Sequence, residues 1–236
     1  MLCLQGLPAE GNDQLRFAFL HTELSRDGPG LLLRDILSGD DPQVLAVARV
    51  VQAVRPDVLV LAGVDWDLNG HGLKALGDAI GGFPHRFSRQ PNRGVPSGVD
   101  LNGDGRLATP DDAFGFAEYA GQGGLAVLSE LPFDRRGFRD FTALEWAALP
   151  GAIVPDAPSS LGRLSTTAHW DLPVILPDGE RISLLIWHAT PPVFDGPEDR
   201  NGRRNHDEAA FWLRYLESDF EPPPERFILM GDANLD

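Results

Sequence analysis

The sequence predicts a layered α/β domain, and three observations carry that expectation. Short apolar runs bounded by turn formers recur along the chain and read as strands: 15–21, 57–64, 121–129, 164–176, 181–187 and 227–230. Stretches with apolar residues at helical spacing follow several of them, so strand, helix, strand and helix alternate. The 236 residues are enough for one large domain with a substantial core.

Taken in order, residues 1–13 read as a disordered lead-in and 14–236 as a single domain. Leu15 to His21 is a first strand, apolar enough to be buried on both faces. Residues 22–30 are rich in turn formers and read as a loop. Asp41 caps a helix with Pro42 at its first position. Val44, Val47, Ala48, Val51 and Val54 give it an apolar stripe, and Pro56 ends it. The buried strand Asp57 to Val64 follows. With a period of two, Gly63, Asp65 and Asp67 share a face at its end. A helix over about 70–80 comes next.

Residues 89–113 form a long loop rich in Gly, Pro, Asn and Asp. Within it, Asp100, Asn102 and Asp104 stand at positions one, three and five of a twelve-residue frame. Gly105 permits the sharp turn at six, Arg106 offers its carbonyl at seven, and Asp111 closes the frame. That spacing suits a calcium ion, with Asp in place of the usual Glu at the twelfth position. The alternative is an Asp/Gly loop that holds no ion.

Later, Pro173 marks its strand as an edge or a bulge, and 177–179 turns the chain into the next strand. That next strand delivers His188. Residues 189–208 read as a loop dense in Arg, Asn, Asp and His. Arg200, Arg203, Arg204 and Asn205 make a local basic patch suited to phosphate oxygens, or else pair internally with Asp195, Glu198 and Asp199. A helix over 208–217 would present Phe211, Leu213 and Leu216. The final strand, Phe227 to Met230, reads as buried and ends in Gly231-Asp232-Ala233-Asn234. Asp232 and Asn234 can orient a water or grip a phosphate oxygen there; the plainer reading is an Asx turn.

Composition narrows the function. A net charge of −15 disfavours broad binding to duplex nucleic acid but not a metal-bridged phosphate. The single cysteine, Cys3, permits neither an intrachain disulfide nor a cysteine metal site. No segment is long and apolar enough to span a membrane, and no signal peptide is visible.

The strands at 15–21, 58–64 and 121–129, the His188 strand end and Gly231-Asp232-Ala233-Asn234 together resemble the endonuclease/exonuclease/phosphatase superfamily. This is the fold of pancreatic-type deoxyribonuclease and of sphingomyelinases. The segment 188–208 and the loop after Gly94-Val-Pro-Ser-Gly98 resemble a bacterial branch that is often exported to the periplasm or beyond. The resemblance implies a two-layer β-sandwich flanked by helices, lacking its C-terminal strands in the chain as given. It implies hydrolysis of a phosphate ester with magnesium or manganese, by a monomer. By that likeness His188, Asp232 and Asn234 are catalytic, and Tyr119 lines the pocket. Two positions depart from the pattern. His21 replaces the family's Asn, and Gly63 replaces its metal-binding Glu, for which Asp65 is the substitute within reach. The late acid–histidine pair also falls outside the chain. Two readings follow: a metal-dependent phosphoric ester hydrolase, or a catalytically impaired module that binds a ligand and keeps only a structural calcium. A calcium-binding interaction protein is a third.

Overall fold

The computed structural model describes residues 14–156 and 162–235; the lead-in expected over 1–13, and Asp236, lie outside them. Two four-stranded sheets face each other. The first has the order β1-β2-β4-β3, with β1 at Phe17–Leu24, β2 at Val58–Val64, β3 at His85–Ser88 and β4 at Gly124–Ser129. The second has the order β5-β6-β7-β8, with β5 at Arg139–Asp140, β6 at His169–Ile175, β7 at Arg181–His188 and β8 at Phe227–Asp232. Helices α1 (Leu31–Ser38), α2 (Pro42–Val54) and α3 (His71–Ile80) cover the first sheet, and α4 (Arg200–Leu216) covers the second.

Alternation along the strands builds three apolar layers. In β2, Val58, Val60 and Ala62 face the other sheet, beside Trp170, Leu172, Leu184 and Ile186. Leu59, Leu61 and Val64 face the helices, against Leu32, Val47, Leu73 and Leu76. Behind the second sheet, Leu185 and Trp187 meet Phe211, Trp212 and Tyr215 of α4. The expected sandwich flanked by helices is therefore what the chain forms.

Several elements differ from expectation. β1 runs on through Thr22, Glu23 and Leu24, which had read as loop. It is an edge strand, so Phe17 to Leu20 are only half-buried and His21 is exposed. α1 had no signal, because it is short, buries only Leu32 and Ile36, and is flanked by Gly30 and Gly39. β8 is likewise an edge strand rather than a buried one. Ile228 and Met230 face the sandwich while Phe227 and Leu229 are exposed.

The largest shift is α4, which starts at Arg200 rather than at 208. Its buried face is polar at the start, with Arg204, Asn205, Asp207 and Glu208, so apolar periodicity could not reveal it. Leu213, expected on the core face, is exposed; Trp212 and Tyr215 take that face. Pro173 behaves as expected. β5 pairs only with Trp170 and Asp171, and beyond it β6 meets just the isolated bridge of Phe133 with Val174, so no regular ladder runs along that side at Pro173. Asp41 caps α2 by accepting from Gln43 N and Val44 N. No helix among the described residues is long and apolar enough to cross a membrane.

Candidate active site

β7 and β8 run parallel and in register, so His188 and Asp232 lie side by side at their carboxyl ends. β1 brings a third group from the opposite sheet. His21 Nδ1 lies 2.7 Å from Asp232 Oδ2, and the two imidazole rings stand edge to face with centroids 4.9 Å apart. Among the described residues, His21, His188 and Asp232 are the group of three that could hold a metal ion, with ligand atoms within 4.8 Å of one another.

A bulge explains why His21 can reach across. The register of β2 shifts between Ala62 and Val64, and Gly63 between them has φ +70°. A Cβ at position 63 would lie 2.9 Å from both Cδ2 and Nε2 of His21. The ring therefore occupies the volume that a side chain at 63 would need. The bulge also interrupts the period of two, so the shared face read for Gly63, Asp65 and Asp67 does not continue past it.

The electrostatics give each group a distinct state. Burial pushes the His188 imidazole down to about 4, helped by the neighbouring His21 and Arg93 and opposed by Asp232. His188 is thus a neutral ring, and its buried Nδ1 has no hydrogen-bond partner among the described residues. Leaving such an atom unpaired costs about 1–3 kcal/mol. Burial works against the charge on Asp232. Hydrogen bonds from Asn234 N, at 2.8 Å, and from His21 outweigh it and hold the carboxyl below its ordinary range.

The other residues singled out from sequence fall into four places. Asn234 (φ +50°) closes an Asx turn on Asp232, and its Nδ2 donates to Ala189 O at 2.6 Å. Asn205 is buried on α4 and donates to Thr190 O and Ala233 O, both at 2.7 Å. These two amides tie the β7 exit to the β8 exit, and both are spent on backbone carbonyls. Glu208 holds the same exit from below. It accepts from Thr190 N and Thr166 N, both at 2.6 Å, while burial pushes its carboxyl up to about 7.

Arg200 lies on α4 beside the charges of Asp195 and Glu198, at a crevice lined by Phe114 and Trp146. Arg203 follows on the same helix, half-buried. Arg204 is buried and donates to the carbonyls of Leu164, Phe114 and Arg163. These arginines sit on a helix rather than in the loop expected there; Arg200 lies beside Asp195 and Glu198, two of the acids weighed as its internal partners, whereas Arg204 is held by backbone carbonyls and faces the charge of Glu208 instead.

Asp65 is buried and accepts from Gly123 N at 3.0 Å and Arg26 N at 2.9 Å. Burial raises its carboxyl, while the neighbouring Tyr119 hydroxyl and the two backbone amides lower it. The Tyr119 hydroxyl donates to Arg26 O at 3.3 Å beside Asp65, and Asp65 is not one of the His21–His188–Asp232 group. Asp67 caps α3 through His71 N and Gly72 N.

In the calcium-type loop, Asp100 accepts from Gly103 N, Asp104 N and Gly105 N, and Asp104 accepts from Arg106 N. Asp111 is exposed at the start of a short 3-10 turn; the buried carboxylate there is Asp112, which accepts from Leu101 N and Thr109 N. Asp100, Asp104 and Asp111 do not converge as the histidine group does.

Arg93 was missed. It donates Nε to Gln122 O at 3.0 Å, balances Asp65, and its charge reaches His188. A lone arginine between Asn92 and Gly94 carries no sequence signal; only the folded loop brings it to the site. That loop is anchored by Asn92, whose Nδ2 donates to Thr142 O and Ser165 O.

A profile described as the Endonuclease/Exonuclease/phosphatase family matches residues 34–236. The chain belongs to this family. No curated protein matches it closely. Among solved structures, it resembles an endonuclease/exonuclease/phosphatase from Beutenbergia cavernae, at 20% identity and a TM-score of 0.52, over 94% of this chain and 47% of that one. It resembles sphingomyelinase C from Streptomyces griseocarneus at 19% identity and TM-score 0.51, over 94% and 65%. A beta toxin variant from Staphylococcus aureus with bound magnesium ions gives 12% and 0.51, over 94% and 65%. At these identities the likeness shows the fold. The chain spans about half to two thirds of the length of these solved relatives.

Proposed function

We propose that this domain hydrolyses a phosphate ester with the help of a divalent cation held at the His21–His188–Asp232 group. The observation behind this reading is the convergence of two strand ends of one sheet and an edge strand of the other on one ligand-rich point. Family membership supports the reaction class.

Asp232 is ionised, its Oδ1 is fixed by Asn234 N and its Oδ2 meets His21, so it can hold and orient a water for attack. His188 can donate to a phosphate oxygen, or hold its lone pair toward a cation, according to its tautomer. Arg93 supplies permanent positive charge beside His188 for a phosphate oxygen. A bound divalent ion would neutralise the phosphate and the developing charge. The family's magnesium is a poor match for these residues. Magnesium prefers oxygen ligands, whereas this group offers one carboxylate and two imidazoles. Calcium in the 100–111 loop stays a separate structural proposal. Duplex nucleic acid is the less suited substrate for a chain of net charge −15, so a small ester is the better fit.

The test is hydrolysis of nitrophenyl phosphate monoesters and diesters by the full chain, with and without chelator. Chelator-sensitive turnover supports the enzyme. Saturable binding of the ester without turnover, under every divalent ion tried, would instead make this the ligand-binding module that Gly63 suggests.

A further inference from the structure

We infer that His21, His188 and Asp232 form a two-histidine, one-carboxylate site that selects a borderline divalent transition ion of the zinc or cobalt class over magnesium. Three independent observations point there. The first is the donor set itself: two imidazoles and one carboxylate with atoms within 4.8 Å. Imidazole suits zinc-like ions, whereas magnesium is held by oxygen. Three protein ligands also leave coordination positions open for water or substrate, as catalytic zinc sites do.

The second is the exchange between Gly63 and His21. The His21 ring fills the space of a Cβ at 63, and that position has φ +70°. A side chain at 63 and the ring of His21 exclude each other, so the nitrogen donor stands in the room a carboxylate would use. The nearest other acid, Asp65, has one oxygen on Gly123 N and the other on Arg26 N.

The third is His188. It is 6% exposed, and its Nδ1 is buried without a partner among the described residues. Arg93 opposes a cation here, but its own charge is offset by Asp65.

The inference concerns the ion of the site proposed above, and its readout is binding, so it stands or fails separately from turnover. The full chain, stripped with a chelator, is titrated with cobalt and followed by its visible absorption, then challenged with zinc and with magnesium. One equivalent of cobalt should bind with a visible band. Zinc should displace it stoichiometrically, and roughly a hundredfold excess of magnesium should not. His21→Ala, at an exposed edge-strand position, should weaken cobalt binding by more than about 30-fold. Asp104→Asn in the calcium-type loop should leave the band unchanged. Displacement by magnesium at comparable concentration, or an unaltered band in His21→Ala, would overturn the inference. A melting curve equal to wild type confirms that the variant tested is folded.

Discussion

Replacing Gly63 by alanine tests the geometry that brings His21 to Asp232. Two costs can be worked out. Position 63 has φ +70°, where an L side chain loses roughly 1–2 kcal/mol. The new Cβ would lie 2.9 Å from the His21 ring and 3.1 Å from Glu23 N, so the ring must swing away and give up its 2.7 Å bond to Asp232. At a half-open site that bond is worth about 1 kcal/mol. The sum is about 2–3 kcal/mol, or a fall in Tm of about 5–10 °C for a chain of this size. Gly179→Ala separates the two terms, because Gly179 has φ +86° with nothing within 4 Å of a Cβ. Calorimetry gives the stability difference, and nitrogen chemical shifts of the His21 ring report whether it has left Asp232. Gly63→Ala should melt below Gly179→Ala and alter the His21 signals. Equal melting temperatures with unchanged His21 signals would show that the ring does not lie over position 63.

Three further outcomes follow from the described contacts. His169 is fully buried between Ser165 Oγ and Glu208 O, and burial pushes its imidazole from 6.5 to about 4. In that window the unfolded chain binds a proton that the folded chain refuses, so the contribution of His169 to stability falls as pH drops from about 6.5 to 4, by at most about 3 kcal/mol, while the raised carboxyl of Glu208 works in the opposite sense and the buried His188 in the same one; ring nitrogen shifts that show His169 protonated at about pH 5.5 in the folded chain would contradict this. Gly231→Ala would place a Cβ 2.3 Å from Trp187 Cδ1 and 2.4 Å from its carbonyl oxygen, so a loss of about 3 kcal/mol is expected, and a melt within a degree or two of wild type would refute it. Asn92→Ala would strip a donor from Thr142 O and Ser165 O and an acceptor from Arg163, costing about 3 kcal/mol and freeing the loop to proteolysis, with a protease-resistant loop as the contrary result.

The layered fold was readable because β2, β4, β6 and β7 are apolar runs between turn formers, and because Asp41-Pro42 and Pro56 mark α2 at both ends. Where polar residues face inward, the pattern failed. The first two turns of α4 bury Arg204, Asn205, Asp207 and Glu208, and no hydrophobic period announces that. Edge strands misled for the opposite reason. β1 and β8 are as apolar as core strands, yet each has one open side. At the site, His188 and Asp232 were legible because each ends a strand, and the register of β7 with β8 places them together. His21 stood out only as a departure at position 21. Its contact with Asp232 spans 211 residues and depends on a bulge at Gly63, which the period of two cannot foresee. Arg93 depends on the folding of its whole loop.

We propose that Asp232, paired with His21 beside His188, is the working carboxylate of a phosphate ester hydrolase. The most direct test is the turnover of a nitrophenyl phosphate diester by the full chain and by Asp232→Asn, each loaded with the same divalent ion. Measurable hydrolysis by the wild-type chain is expected, with a loss of more than about 100-fold in the variant at an unchanged melting temperature. Equal turnover by the two proteins, or none by the wild type with any divalent ion, would contradict it.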